Sequence, residues 1–298
     1  MKQGGIKKIL VPMDFSETSV KALDYAEALA KNTGADILLL HVIENVYATT
    51  DPFYAAVPRE PVYENDLRKI SNEGLEKAAE AIGSNGEFKI KKLSATGRTH
   101  KEIIKVSEEE NADIIVMGTH GVSGFREFVM GSNTYRVVSD SKRPVLSIQS
   151  KGKDYNFKKI LVPFTDRPHS REKVMYAIKM AKIYGSTLYV LGINDGGTKA
   201  HAKKIALEAA QIENISEDHG VKCKVSVVSA PRSVKTILQH AKKIKADLIV
   251  STGDSSKQDI TEYFSGSLSQ QIVNHSPVPV LSVHAKFNPK TVALWQGI

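Results

Sequence analysis

Residues 112–132, ADIIVMGTHGVSGFREFVMGS, decide the fold. The stretch opens with an apolar run at 113–117 that reads as a strand, continues into a loop with three glycines, and ends at Gly131-Ser132, where a helix is predicted to begin. A strand that is apolar on both faces is typical of a parallel sheet covered by helices on either side. The stretch therefore predicts a doubly wound, Rossmann-like α/β domain.

The chain contains this unit twice. KKILVP at 7–12 recurs at 158–163, and ADIIV at 112–116 recurs as ADLIV at 246–250. The 298 residues are also enough for two ordinary domains. We therefore predict domains at 1–149 and 158–285, a polar linker at 150–157 and a C-terminal tail at 286–298.

In both halves, short apolar runs alternate with segments of helical periodicity. The first half predicts strands near 8–12, 36–42, 87–93, 113–117 and 144–148, and helices near 16–32, 63–82, 99–110 and 132–139. The second half predicts strands near 158–163, 187–192, 222–227, 247–251 and 279–283, and a long helix near 198–218.

An insertion at 44–63 distinguishes the first half. It contains three prolines and four aromatic residues, and we interpret it as too proline-broken for a helix. The segment is predicted to be a mobile arm. It is either a lid or strap, or a plain surface loop with incidental aromatic residues.

Composition excludes several classes of protein. The chain has 41% hydrophobic and 25% charged residues, as ordinary globular proteins do, and its longest apolar runs are strand-sized. The first residues lack the pattern of a secretory signal, and the single Cys223 excludes an intrachain disulfide or a multi-cysteine metal site. We therefore expect a cytoplasmic protein without a membrane partner.

The net charge is unevenly distributed. Residues 1–150 contain 19 Lys/Arg and 21 Asp/Glu, whereas residues 151–298 contain 22 and 12. A basic half can bind an anionic partner, but solvated helix faces explain the lysines as well. Because no arginines and aromatic residues alternate there, we do not expect nucleic acid to be the partner.

The glycine loop is suited to an anion. Gly118 and Gly121 allow the backbone to approach a ligand, and Gly131-Ser132 are expected to offer free amide groups at a helix N-terminus. The loop leaves the carboxyl end of a strand, where open α/β sheets bind ligands, and Asp14 is expected to face it from the end of the first strand. Ser132 is also a residue type that commonly caps helices without any ligand.

At these residues the sequence resembles the universal stress proteins, in their tandem form. The family signature is a glycine, two residues, a glycine, nine residues and Gly-Ser or Gly-Thr, which Gly118, Gly121 and Gly131-Ser132 satisfy. The resemblance implies a five-stranded parallel sheet in the order 3-2-1-4-5 in each domain. It also implies that the two domains pair about a pseudo-twofold axis through their last strands.

The resemblance to the ATP-binding branch of that family implies a nucleotide site in the first domain. Asp14 and Val42 match the positions at the nucleoside end, and the glycine and serine positions would hold ribose and phosphates. We expect ATP, with Mg²⁺, to be bound by Pro12, Asp14, Val42, Met117, Gly118, His120, Gly121, Arg126, Gly131, Ser132 and Asn133.

Two of these assignments have alternatives. His120 would touch phosphate, although a loop histidine more often faces solvent. Arg126 and Arg136 flank the phosphate end and could pair with it, although Glu127 beside Arg126 offers an ordinary surface ion pair.

The second domain departs from the pattern. Counting from Asp247 places Thr252 opposite Gly118, and counting from Lys158 places Thr165 opposite Asp14. Ser256 stands where the middle glycine belongs. We therefore expect an empty or altered second pocket and one nucleotide per chain.

No catalytic or metal site is predicted. The chain has no P-loop motif and no visible triad, and Ser16 and Thr18 read as helix caps. We expect a nucleotide-sensing regulator or adaptor in a stress response, with an unidentified protein partner and a homodimer as an option. The alternatives are an interaction scaffold that binds no nucleotide, and a slow ATPase.

Overall fold

A computed structural model describes residues 5–44, 61–83, 86–119, 130–149, 155–165, 172–253 and 267–284. The chain divides into two compact units, unit 1 (residues 1–150) and unit 2 (residues 151–298). The predicted tail and most of the predicted arm and linker lie outside the described residues. No helix within the described ranges has the length and apolar character that a membrane span requires.

Unit 1 is a parallel sheet with helices between its strands. Its strands pair in the order β3-β2-β1-β4-β5, as expected for a doubly wound domain. Its described elements are β1 (Lys8–Pro12), α1 (Glu17–Thr33), β2 (Asp36–Glu44), α2 (Pro61–Ile82), β3 (Ile90–Gly97), α3 (Thr99–Glu109), β4 (Ile114–Gly118), α4 (Ser132–Asp140) and β5 (Val145–Ile148).

The central strands of the unit 1 sheet are buried on both faces. Leu38 and Leu40 of β2 belong to one core cluster together with Ile103 of α3 and Val137 of α4. Ile37 and Leu39, the alternate residues of β2, are equally buried, and α1 and α2 pack against each other and both against β2. Because successive strand residues point to opposite faces, α1 and α2 cover one face and α3 and α4 the other.

Unit 2 repeats this arrangement. Its strands pair in the order β8-β7-β6-β9-β10, which corresponds to the order in unit 1. Its described elements are β6 (Lys159–Phe164), α5 (Glu172–Tyr184), β7 (Thr187–Asn194), α6 (Lys199–Asp218), β8 (Cys223–Ser229), α7 (Val234–Ile244), β9 (Leu248–Gly253), α8 (Leu268–His275) and β10 (Val280–His284).

The repeated Lys-Lys and Ala-Asp pairs share one structural role. The Asp113 carboxylate accepts hydrogen bonds from the backbone N–H groups of Lys7 and Lys8, at 2.7 and 3.0 Å. Asp247 does the same for Lys158 and Lys159, at 3.0 and 2.8 Å. The aspartate thus joins the start of the first strand of each unit to the segment that leads into the fourth.

Two elements begin elsewhere than the sequence predicts. β3 runs from Ile90 to Gly97, not from near 87 to near 93, and the backbone N–H of Lys89 just before it donates to the side chain of Asp36. α2 starts at Pro61, so the interpretation of 44–63 as too proline-broken for a helix is wrong at its end. Proline is favoured as the first residue of a helix because its missing N–H would have no intrahelical partner there.

Candidate functional site

A cleft of about 300 Å³ opens at the carboxyl edge of the unit 1 sheet. Its wall is formed by the ends of β1, β2 and β4 and by the first turns of α3 and α4. The lining residues are Pro12, Met13, Asp14, Ser19, Leu40, Val42, Glu44, Thr99, Ile103, Met117, Gly118, Gly131, Ser132, Asn133 and Thr134.

The structure brings together all the predicted site residues that it describes. Each of them lines this cleft, although they come from four separate segments of the chain. They are Pro12, Asp14, Val42, Met117, Gly118, Gly131, Ser132 and Asn133. The other three, His120, Gly121 and Arg126, lie outside the described residues, so their predicted phosphate contacts stay predictions.

The N-terminus of α4 opens into the cleft, and within the described part of the chain no side chain caps it. Gly131 is the N-cap residue and makes no side-chain capping bond. The sequence predicts a free N–H at Gly131, but this prediction is wrong, because the N–H donates to the Thr119 carbonyl oxygen at 2.8 Å. Ser132 and Asn133 follow as the first two helical residues, whose N–H groups have no intrahelical acceptor.

Gly131 has room for a ligand beside it. Its φ of −58° and ψ of 143° are accessible to any residue, so the backbone does not require glycine there. Among the described residues, a Cβ added at Gly131 would meet only the Thr119 carbonyl oxygen within 4 Å, at 3.4 Å. Packing within the described protein therefore does not explain this glycine, and its open side forms part of the cleft.

Gly118 is a glycine for another reason. A Cβ at this position would lie 2.9 Å from the backbone carbonyl carbon and oxygen of Thr18 and from its Cβ. The expectation that Gly118 is small to let a ligand approach is therefore incomplete, because the glycine first lets β4 pack against the first turn of α1. Thr134 reinforces this end of the cleft by donating its hydroxyl to the Gly118 carbonyl oxygen at 2.9 Å.

Asp14 is exposed at the end of β1 and is held by the residue that begins α1. Its Oδ1 accepts the backbone N–H of Ser16 at 3.0 Å and the Ser16 hydroxyl at 2.6 Å. Ser16 is the N-cap of α1, which confirms that it is a helix cap, and its Oγ accepts the N–H of Ser19. The carboxylate thus has a defined orientation at the cleft.

Sequence reasoning missed a contact at the opposite side of the cleft. The Thr99 hydroxyl donates to Glu44 Oε1 at 2.5 Å and joins the end of β2 to the start of α3. Glu44 is two residues beyond Val42, on the same face of its strand. That spacing is a signal that could have pointed to Glu44, but nothing local indicates its pairing with Thr99.

The two sides of the cleft differ electrostatically. The carboxylate of Asp14 follows β1 and that of Glu44 ends β2, whereas the positive end of the α4 dipole lies beside β4. Neighbouring strands are about 4.8 Å apart, so roughly 10 Å separates β4 from β2. The cleft therefore favours an elongated ligand with an anionic end at α4 and hydrogen-bond donors at the carboxylates.

The described lining contributes no cationic side chain to this polarity. His100 follows Thr99 but lines a groove between α3 and α4. Burial, with the nearby positive charge of Arg136, lowers the pKa of His100 and so favours its neutral form. Within the described residues, the helix N-terminus and its amides are thus the main attraction for an anion.

The matching region of unit 2 is built differently. When the two sheets are aligned by their strand register, Thr252 of unit 2 is equivalent to Gly118 of unit 1, and Phe164 is equivalent to Met13. The helix that matches α4 begins one residue later, so Ser267 is an N-cap where Ser132 is the first helical residue. Ser267 and Gln270 form a reciprocal capping box that occupies two of the backbone N–H groups at this terminus.

Comparison with known sequences decides the family. The sequence profile of the Universal stress protein family matches residues 5–149 and again residues 156–284. The chain belongs to the universal stress protein family. Because the profile matches twice, it has the tandem form, with one domain of the family in each unit.

Individual universal stress proteins agree with this assignment. Universal stress protein MJ0577 of Methanocaldococcus jannaschii is 33% identical over 159 residues, which cover 49% of this chain and 96% of that protein. Universal stress protein YxiE of Bacillus subtilis is 34% identical over 146 residues, which cover 48% and 98%. Both relatives thus have about the length of one unit.

A solved structure matches nearly the whole chain. The crystal structure of a universal stress protein from Archaeoglobus fulgidus has a TM-score of 0.73 and 25% identity. The match covers 94% of this chain and 97% of that one. The likeness therefore extends over both units of this tandem universal stress protein.

Proposed function

We propose that this universal stress protein binds ATP in the cleft of unit 1 and acts as a nucleotide-responsive regulator or adaptor in a stress response. The observation that carries the proposal is the uncapped N-terminus of α4, which faces the cleft beside the open side of Gly131. Amide groups and a helix dipole at that point suit a triphosphate.

The rest of the cleft fits the remainder of a nucleotide. Its volume of about 300 Å³ is at the lower end of ordinary ligand sites. Val42 and Ile103 supply apolar surface for a base, and the Asp14 and Glu44 carboxylates supply acceptors for hydroxyl or amino groups. The proposed order along the sheet is phosphates near β4, ribose near β1 and base near β2.

Magnesium fits this site as a companion of the phosphates. No group of three or more His, Cys, Asp or Glu side chains in the described ranges could hold a metal ion by itself. Mg²⁺ is commonly bound by one or two carboxylates together with substrate phosphates. Because β1 lies between β4 and β2, Asp14 at the end of β1 would be nearer to the phosphates than Glu44. The ion would neutralise phosphate charge where the described lining offers no cation.

Replacing Gly131 tests the proposal. Gly131→Val should abolish detectable ATP binding, because its side chain would project into the cleft, while the N-cap φ and ψ suit valine. Isothermal titration calorimetry with Mg-ATP measures affinity, and mass spectrometry of ligand released from the purified wild-type protein identifies a bound nucleotide.

The matched control is Gly266→Val, at the corresponding sequence position of unit 2, which should leave ATP affinity unchanged. Wild-type protein that neither retains nor binds an adenine nucleotide would overturn the proposal and favour an interaction scaffold. Twofold pairing of the domains, a homodimer and a cytoplasmic location stay predictions.

A further inference from the structure

The residue after Asp14 adopts an unusual backbone conformation. Phe15 has a φ of 62°, in the left-handed region that non-glycine residues rarely occupy. It stands between Asp14, which lines the cleft, and Ser16, which caps α1. An unfavourable conformation of this kind persists only where surrounding contacts impose it.

Two contacts hold the Phe15 ring. It stacks on the His41 ring with centroids 4.7 Å apart and an interplanar angle of 24°. The tip of the ring also lies against the backbone of α2, because a Cβ at Gly74 would come within 2.5 Å of Phe15 Cζ. A glycine inside a helix is unfavourable, and here it makes space for the ring.

His41 also fixes the other side of the turn. Its Nδ1 lies 2.7 Å from the carbonyl oxygen of Met13, and the Met13 N–H donates to the Leu40 carbonyl oxygen at 2.7 Å. Met13, before Asp14, is thus hydrogen-bonded to β2, and Phe15, after it, stacks on a residue of β2. None of Phe15, His41 and Gly74 lines the cleft.

The turn leaves Asp14 with one oxygen for a ligand. Both hydrogen bonds from Ser16 go to Oδ1, and no described residue donates a hydrogen bond to Oδ2. Because those two bonds span Phe15, the Phe15 backbone conformation determines the position of the carboxylate.

We propose that Phe15 is a positioning residue for nucleotide binding. Its ring, held between His41 and Gly74, imposes the turn that orients Asp14 toward the cleft. This inference rests on the proposed function, since it concerns affinity for the same nucleotide. It adds that a residue of α2, outside the cleft, controls that affinity through Asp14.

The test compares Gly74→Ala, which displaces the ring, with Phe15→Leu, which removes the stack on His41. Each should weaken Mg-ATP binding by about tenfold, the size expected for loss of a hydrogen bond to a charged group. Phe15→Leu keeps the test valid if the alanine variant fails to fold, and circular dichroism reports folding of both variants.

A double-mutant cycle with Asp14→Asn separates positioning from general destabilisation. If Phe15 acts through Asp14, Gly74→Ala should change affinity by less than about twofold in the Asp14→Asn background. The control is Ser71→Ala on the same helix, which removes a buried hydroxyl 2.9 Å from Ser94 Oγ. This variant should lower stability without changing ATP affinity.

The outcomes are distinct. Unchanged ATP affinity in folded Gly74→Ala and Phe15→Leu, or the full tenfold loss repeated in the Asp14→Asn background, overturns the positioning role while ATP binding itself stands. Absence of ATP binding in the wild type overturns the proposed function together with this inference.

Discussion

Two glycines of the family signature have different physical roles. Gly118 is enclosed by the Thr18 backbone, whereas Gly131 faces the cleft. The same residue type therefore serves packing at one position and leaves space beside a proposed phosphate at the other. Substitution by alanine should separate the two roles.

Gly118→Ala should destabilise the protein by about 1–3 kcal/mol, because the added methyl group meets backbone atoms that cannot move independently. Gly131→Ala should leave stability within about 0.5 kcal/mol of wild type, in the range of ordinary surface changes, and weaken ATP binding. Chemical denaturation and calorimetry measure the two effects. Equal loss of stability in both variants would contradict this assignment.

At the scale of elements, α4 and α8 occupy corresponding places but begin differently. Gly131 gives α4 no side-chain cap, and the described residues show no hydrogen bond from the Ser132 side chain. In α8 the side chains of Ser267 and Gln270 accept hydrogen bonds from backbone N–H groups that a bound anion would otherwise accept. The two helices thus contrast an open N-terminus with a closed one.

Serine substitutions should show this contrast. Ser267→Ala should cost about 1 kcal/mol of stability in unit 2, the usual value for losing an N-cap, and leave ATP affinity unchanged. Ser132→Ala should leave stability unchanged and weaken ATP binding. Hydrogen exchange of α8 amides and calorimetry report the two effects. A loss of ATP affinity in Ser267→Ala would contradict the expectation that the capped N-terminus of α8 binds no nucleotide.

At the scale of the whole molecule, two units with the same strand order differ at the site. The positions of Asp14 and Gly118 correspond to Thr165 and Thr252 in unit 2. The carboxylate and the glycine of unit 1 are therefore both replaced. The two units thus share a sheet topology but differ at these two cleft positions.

One nucleotide per chain should follow from this difference. Native mass spectrometry of the wild-type protein with excess Mg-ATP should show one bound nucleotide, and Gly131→Val should show none. A second equivalent of similar affinity would mean that the capping box of α8 opens for phosphate, against the expectation. Calorimetric stoichiometry provides an independent count.

Much of the fold could be predicted from the sequence because it rests on local patterns. Apolar runs located the strands, and the repeated KKILVP and ADIIV segments revealed two equivalent units. β3 was misplaced because it is largely exposed and lacks a clear apolar run. The start of α2 was missed because proline breaks a helix in its interior and favours it at the first position.

By itself, the sequence determined the two-domain α/β organisation and most residues of the candidate site, since glycine spacing and strand ends are local signals. Only the tertiary structure decided which contacts these residues make. The Gly118 contact with Thr18, the Phe15 contact with Gly74 and the Glu44 bond with Thr99 join residues far apart in the chain. Such contacts depend on how helices pack against the sheet, which no local pattern specifies.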